Sequence, residues 1–256
     1  MCGLAGFVDS KGMWSEDDLR RMANSIVHRG PDDEGISVVN FHGVKIGMAH
    51  RRLSILDLSP LGHQPMELDN LRVVYNGEIY NYREIRKELI QFGFSFSSDS
   101  DTEVLLRAFQ HWGIQCLGRF IGMFAFAILD TNKRKLWLCR DRVGIKPLYY
   151  SYRNNGLLFG SEIKALAAAN DANLSLDSNS LTDFPRYGYT VGEFSIYTEV
   201  KKVKPGHYIE YDLKSLTGLE SKYWCVDEFY KGSTLVTDEN LLLEELEELI
   251  TSACKY

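Results

Sequence analysis

The chain has 256 residues, of which 45% are hydrophobic and 25% charged, an ordinary globular composition long enough for one large domain or two small ones. With 29 basic against 35 acidic residues the net charge is -6 and the basic residues are dispersed, which argues against a nucleic-acid partner. No apolar run approaches the roughly 20 residues of a membrane span and no charged-then-apolar leader opens the chain. The 5 cysteines are scattered with no C-x-x-C pair, which argues against a disulfide framework or a structural metal site and favours the cytoplasm.

Leu4 to Val8 is a short apolar run almost at the terminus, so the N-terminus predicts the start of a buried strand. Glu16 to His28 has helical spacing (Leu19, Met22, Ala23, Ile26, Val27), with Ser15 as its cap. Strands are expected at Ile36–Phe41, Val44–Ala49 and Leu71–Tyr75, and helices at Tyr82–Phe92 and Asp101–Trp112. From Phe120 to Leu129 both faces of a period-two pattern are apolar. Phe120, Phe124, Phe126 and Ile128 lie on one face, and Ile121, Met123, Ala125, Ala127 and Leu129 on the other, as in a strand covered on both sides. A polar turn at Asp130–Lys133 leads to a hairpin partner at Lys135–Cys139, and short strands at Leu148–Tyr152 and Leu157–Phe159 suit a meander.

After Ala169 the texture changes. Asn170 to Ser180 reads as a polar loop, Val200 to Asp212 as another hairpin, and Asp238 to Cys254 as a helix capped by Asp238 with Leu242, Leu246, Leu249, Ile250 and Ala253 on one face. The pattern is α+β, with stacked antiparallel sheets flanked by helices.

Removal of Met1 would leave Cys2 as the first residue, carrying a thiol and a free α-amine. Their ordinary pKa values, near ~8.5 and ~7.7–8.0, let one serve as base for the other at neutral pH. By itself Cys2 is simply a cysteine near a terminus. It is followed, in order, by Arg29-Gly30-Pro31-Asp32, Ala49-His50-Arg51-Arg52-Leu53-Ser54-Ile55, Asn76-Gly77-Glu78-Ile79-Tyr80-Asn81 and Ser100-Asp101-Thr102-Glu103. Arg140 to Tyr150 and Phe159 to Leu166 extend the series. Together these segments resemble the glutaminase domain of glutamine-dependent asparagine synthetase, a class II glutamine amidotransferase of the N-terminal-nucleophile (Ntn) hydrolase type.

The resemblance implies a four-layer α/β/β/α sandwich over 2–212, a linker over 213–237, and, at 238–256, the first helix of a truncated synthetase domain. It also implies the site. Cys2 matches the nucleophile, with its α-amine as base; the Asn76 side chain and the Gly77 N–H match the oxyanion hole. Arg52 matches the partner of the glutamine α-carboxylate, and Glu78 and Asp101 match acids near its α-ammonium. The local chemistry has plainer readings too. Asn76-Gly77 is a hairpin-turn signal, and Ser100-x-x-Glu103 is a capping box that would place Asp101 on a helix N-terminus. Strand alternation allows only one of Arg51 and Arg52 to reach a common pocket, and the Leu53-Ser54-Ile55 register selects Arg52. His28, His50 and His63 lack metal-ligand spacing and read as structural.

Members of the family continue into an ATP-pyrophosphatase domain with a Gly-Gly-containing phosphate loop, and no Gly-Gly pair occurs in these 256 residues. The expected activity is therefore the glutaminase half-reaction on L-glutamine, needing no cofactor. ATP and Mg2+ are expected only for the synthetase domain, supplied in cis or in trans. In asparagine synthetase the ammonia is delivered to β-aspartyl-AMP. A different acceptor (a polysaccharide sugar or a lactam-forming substrate), a glutamine-binding module inactive without its partner, and a homodimer all stay open.

Overall fold

The computed structural model describes residues 1–54, 59–154, 156–170, 173–232 and 238–255. Ile55, residues 171–172 of the expected loop and residues 233–237 of the expected linker lie outside the described residues. Two compact units are present, Met1–Tyr223 and Trp224–Tyr256.

In chain order the first unit runs β1 (Gly3–Asp9), α1 (Glu16–Ser25), β2 (Asp33–Phe41), β3 (Val44–Arg52), β4 (Met66–Leu68) and β5 (Leu71–Ile79). Next come α2 (Tyr82–Gln91), α3 (Asp101–Trp112), β6 (Gly122–Asp130), β7 (Lys135–Arg140), β8 (Tyr149–Arg153) and β9 (Gly156–Gly160). It closes with α4 (Ile163–Ala167), α5 (Ser178–Tyr187), β10 (Lys201–Lys202), β11 (His207–Asp212) and β12 (Thr217–Lys222). The strands form two antiparallel sheets, ordered β10-β8-β9-β1-β3-β2 and β12-β11-β7-β6-β5-β4.

Alternation along each strand builds the layers. In β1, Leu4 and Val8 enter the core between the sheets while Ala5 and Phe7 face α1 and α4. In β6, Ala125, Ala127 and Leu129 enter the inter-sheet core while Phe124, Phe126 and Ile128 pack on α2 and α3, the division the sequence pattern predicts. The result is the α/β/β/α sandwich. Helix α1 starts on a reciprocal capping box, in which Asp18 N–H donates to Ser15 Oγ at 3.3 Å and Ser15 N–H to Asp18 Oδ2 at 2.8 Å. It ends at Ser25, and a single 3-10 turn over Val27–Arg29 replaces the rest of the expected helix.

Several expectations need correcting. Val200 to Asp212 is no hairpin, because β10 joins the first sheet beside β8 and β11 joins the second beside β7. The true hairpin partner of β11 is β12, so residues 213–223 belong to the compact unit and not to a linker. The run from β6 to β9 is not one meander either, since β8 and β9 cross to the other sheet. The polar stretch after Ala169 contains the start of α5, capped where Ser180 N–H donates to Asp177 at 2.8 Å. Polarity suggested a loop there because the first turn of α5 is Ser178-Asn179-Ser180, and its apolar residues begin only at Leu181.

The second unit holds α6 (Asp227–Tyr230) and α7 (Glu239–Lys255). Asn240 N–H donates to Asp238 Oδ1 at 2.8 Å, so Asp238 stands at the start of α7 as expected. Leu246, Leu249 and Ile250 of α7 are exposed. No helix among the described residues is long and apolar enough to cross a membrane, and all five cysteines are free thiols.

Candidate active site

The same alternation that fills the inter-sheet core carries polar residues into its end. Cys2 continues the inward register of Leu4 and Val8, and Arg52 that of Ile46 and Met48. From the facing sheet, Asn76 and Glu78 continue the register of Val74, and Met123 that of Ala125. Where the apolar filling stops, these side chains line a cleft of about 720 Å³ including the solvent at its mouth. Gly77 and Asp101 line it too, so all six residues expected from the sequence meet in one place.

Cys2 is docked on the Leu53 peptide. Leu53 N–H donates to Sγ at 3.4 Å, and the thiol donates to Leu53 C=O at 3.6 Å. Burial pushes the Cys2 thiol up, while the Leu53 N–H, the chain's terminal ammonium and Arg52 oppose that rise. Arg29 holds the Cys2 carbonyl through its Nε at 3.0 Å and is itself paired with Glu162 at 2.7 Å. Burial works to raise the Glu162 carboxyl, but hydrogen bonds from Arg29, Lys164 and His28 together outweigh it and hold the carboxyl at about 2.

The Arg51–Arg52 pair separates as alternation requires. Arg51 turns outward to Glu34 at 2.8 Å, to Ala23 C=O at 3.2 Å and to the Asn24 side chain. Arg52 turns into the cleft, with its Nη1 donating to Ser59 C=O at 3.3 Å. Gly30 permits this packing, because a Cβ there would lie 2.3 Å from the Arg51 carbonyl carbon and 2.5 Å from Arg52 N. Asp32 then ties the exit of β3, donating its N–H to Arg52 C=O at 3.0 Å and accepting Ser54 N–H at 2.8 Å.

Asn76-Gly77 is not a hairpin turn; it lies inside β5, paired with β6. Asn76 is buried and its Nδ2 has no hydrogen-bond partner among the described residues, a donor left for something in the cleft. Gly77 stands opposite Phe124, whose N–H and C=O are both taken by Asp141 at 3.2 and 2.8 Å. The pair is therefore a non-hydrogen-bonded one, and Gly77 N–H faces the other edge of β5. On that edge Tyr75 N–H donates to Gln64 Oε1 at 2.6 Å and Ile79 N–H to Asp101 Oδ2 at 3.0 Å. Gly77 N–H sits between them, beside the cleft. A side chain at Gly77 would meet Met123 O at 2.3 Å, so close sheet packing, not a turn, requires glycine here.

The capping box at α3 is only half formed. Glu103 N–H donates to Ser100 Oγ at 3.2 Å, but the Glu103 carboxylate takes Ser97 and Ser98 N–H instead, at 2.9 and 2.7 Å. Asp101, the first residue of α3, accepts Tyr75 O–H at 2.8 Å as well as Ile79 N–H. Burial raises the Asp101 carboxyl above its ordinary range and these two donors oppose the rise. Asp99 points away, paired with Arg86 at 3.1 Å. His50 is fully buried against Tyr75 C=O at 2.9 Å, and burial lowers it to about 4, so it is neutral and structural.

Sequence reasoning left out four supports. Gln64 and Tyr75 brace the β5 edge, Asp141 braces Phe124, and buried Lys146 lines the cleft. A basic residue before Pro147 in an apolar run was the available signal for Lys146.

Stacked antiparallel sheets between helices, with a cysteine at the start of a central strand and an unpaired amide donor in the same cleft, are the layout of a glutamine amidotransferase domain. The chain belongs to the glutamine amidotransferase domain family, which it matches over residues 1–224. It is 34% identical to a putative glutamine-hydrolysing asparagine synthetase 2 of Methanocaldococcus jannaschii, over 100% of this chain and 52% of that one. It is 37% identical to asparagine synthetase 3 of Bacillus subtilis (89% and 37%), and 35% identical to amidase chry2 of Gibberella zeae (82% and 32%). The chain thus spans about half the length of the first relative and about a third of the others. Its fold is that of the B. subtilis glutamine phosphoribosylpyrophosphate amidotransferase, with a TM-score of 0.64 at 18% identity over 87% of this chain and 49% of that one.

Proposed function

We propose that the cleft hydrolyses L-glutamine to L-glutamate and ammonia, and that Cys2, freed of Met1, is the nucleophile. The observation that carries this reading is the buried, unpartnered Asn76 Nδ2 beside Gly77 N–H in the cleft that holds Cys2. Both donors suit a carbonyl oxygen that becomes negative when sulfur adds to its carbon. Arg52 offers a guanidinium for the α-carboxylate, and Glu78 and Asp101 offer carboxylates for the α-ammonium.

The steps follow from these groups. The Cys2 α-amine takes the thiol proton as Sγ bonds to the carboxamide carbon, and Asn76 and Gly77 hold the oxyanion. The C–N bond breaks, the ammonium returns the proton to the departing nitrogen, and ammonia leaves a thioester. Water then adds to the thioester carbon, the C–S bond breaks, and glutamate and the thiol are restored. No cofactor is needed for this half-reaction.

The names of the M. jannaschii and B. subtilis relatives favour asparagine synthesis for the full-length protein. On that reading the ammonia goes to β-aspartyl-AMP, the acceptor the resemblance implies, with ATP and Mg2+ bound in a synthetase domain that α7 opens. Amidase chry2 matches this chain over about a third of its own length, and its name favours keeping another acceptor as the second reading. The five free thiols support a cytoplasmic location.

The test is glutamate release from L-glutamine by the protein and by Cys2→Ala, with intact mass to establish whether Met1 is removed. Release in the processed protein and none in Cys2→Ala is expected. Equal release by both would end the proposal.

A further inference from the structure

Lys146 is the one buried cation of the cleft that the steps above leave unused. It is only 5% exposed, yet its ammonium makes no hydrogen bond or ion pair among the described residues, and it lines the same cleft as Cys2. Its side chain is buried while its ammonium opens on the cleft, where an anion can reach it.

The loop that presents it is firmly built. The Asp141 carboxylate accepts N–H bonds from Ile145 at 2.9 Å and Lys146 at 2.9 Å, as well as from Phe124. Arg140 closes the loop from the other side through Lys146 C=O at 2.9 Å and Gly144 C=O at 2.8 Å. Val143 and Ile145 are exposed, so the loop turns Lys146 inward.

Its role follows from the charges gathered in the cleft, which Arg52, Glu78, Asp101 and Lys146 all line. Arg52 is the cation assigned to the α-carboxylate, and Glu78 and Asp101 are the acids assigned to the α-ammonium. Lys146 is the cation left for the charge that glutamate carries at its γ-carbon and glutamine lacks.

We propose, resting on the reading of the cleft as a glutamine site, that Lys146 is a product-recognising cation that pairs with the γ-carboxylate of glutamate. An ammonium has only donors and so gains nothing from the NH2 of glutamine, whereas it forms a charge-assisted hydrogen bond to a carboxylate. The cleft's charges match this product. Arg52 faces the α-carboxylate, Glu78 and Asp101 face the α-ammonium, and Lys146 faces the γ-carboxylate. The enzyme would then be inhibited by its own glutamate.

The test is calorimetric binding of L-glutamate and L-glutamine to the Cys2→Ala protein, which cannot turn over, with and without Lys146→Met. The expected result is an about ten-fold or greater loss of glutamate affinity, the scale of one charge-assisted hydrogen bond, with glutamine affinity changed less than about two-fold. Lys146→Arg, which keeps the charge, is expected to recover most of the glutamate affinity. Unchanged glutamate binding, or equal loss for both amino acids in the Met and Arg variants, would overturn the proposal while leaving the glutamine site standing. Failure of the Cys2→Ala protein to bind L-glutamine at all would overturn the glutamine reading and the role of Lys146 with it.

Discussion

The Leu53 peptide holds the Cys2 thiol from both ends, its N–H donating to Sγ at 3.4 Å and its C=O accepting at 3.6 Å. A single N–H does little to stabilise a thiolate, and burial works against it, so the thiol pKa is raised above its ordinary value. Alkylation of Cys2 by iodoacetamide, followed by the mass of its own peptide, is expected to be slow at pH 7 and to rise about ten-fold per pH unit beyond it. Arg52→Met should slow it further and Asp101→Asn should speed it, because Arg52 lowers and Asp101 raises the thiol pKa. Full reactivity at pH 6 would refute this ordering.

Asn76→Ala removes the unpartnered donor without touching the core of β5. Turnover is expected to fall by about 10²–10³ with KM little changed, because the bond it loses forms mainly in the transition state. A rise in KM at constant turnover would instead place Asn76 on the ground-state amide.

Gly77→Ala acts through packing. The added methyl would sit 2.3 Å from Met123 O and 2.7 Å from Phe124 Cα, in the middle of the β5–β6 pair. The expected cost is about 1–3 kcal/mol in denaturant titration, together with loss of turnover as the strands part. Gly43→Ala, at a turn with nothing within 4 Å of its Cβ, should leave turnover alone while its positive φ costs some stability.

His50 sets a pH dependence of stability. Its pKa falls from the ordinary 6.5 to about 4 on folding, so between those values the unfolded chain binds the extra proton. Stability is therefore expected to be full above about 6.5 and to decline as pH falls toward 4. His50→Gln, which cannot titrate, should flatten that part of the melting-temperature profile while starting from a lower value. An unchanged slope would assign the decline to other groups.

Much of this fold can be read along the chain because local rules act there. The two-faced apolar pattern of Phe120 to Leu129 specifies a strand covered on both sides, and α3 runs from Asp101 to Trp112 as its spacing predicts. Alternation also sends Arg51 and Arg52 to opposite faces, and the Leu53-Ser54-Ile55 register selects Arg52 for the cleft. The errors lie where long-range pairing decides: β10 and β11 look like a hairpin because the turn residues Lys204-Pro205-Gly206 separate them, yet each joins a different sheet. Asn76-Gly77 carries a turn signature that the pairing with β6 overrides.

By itself the sequence determined the residue types of a carboxamide-cleaving site and their order, since ordered motifs specify chemistry without coordinates. Only the tertiary structure decided that Gly77 N–H faces the cleft, that the Asp101 side chain is engaged by Tyr75 and Ile79, and that Lys146 lines the same cleft. Those outcomes depend on which strand edge is paired and which is open. That is a property of contacts tens of residues apart, and it leaves no mark in local periodicity.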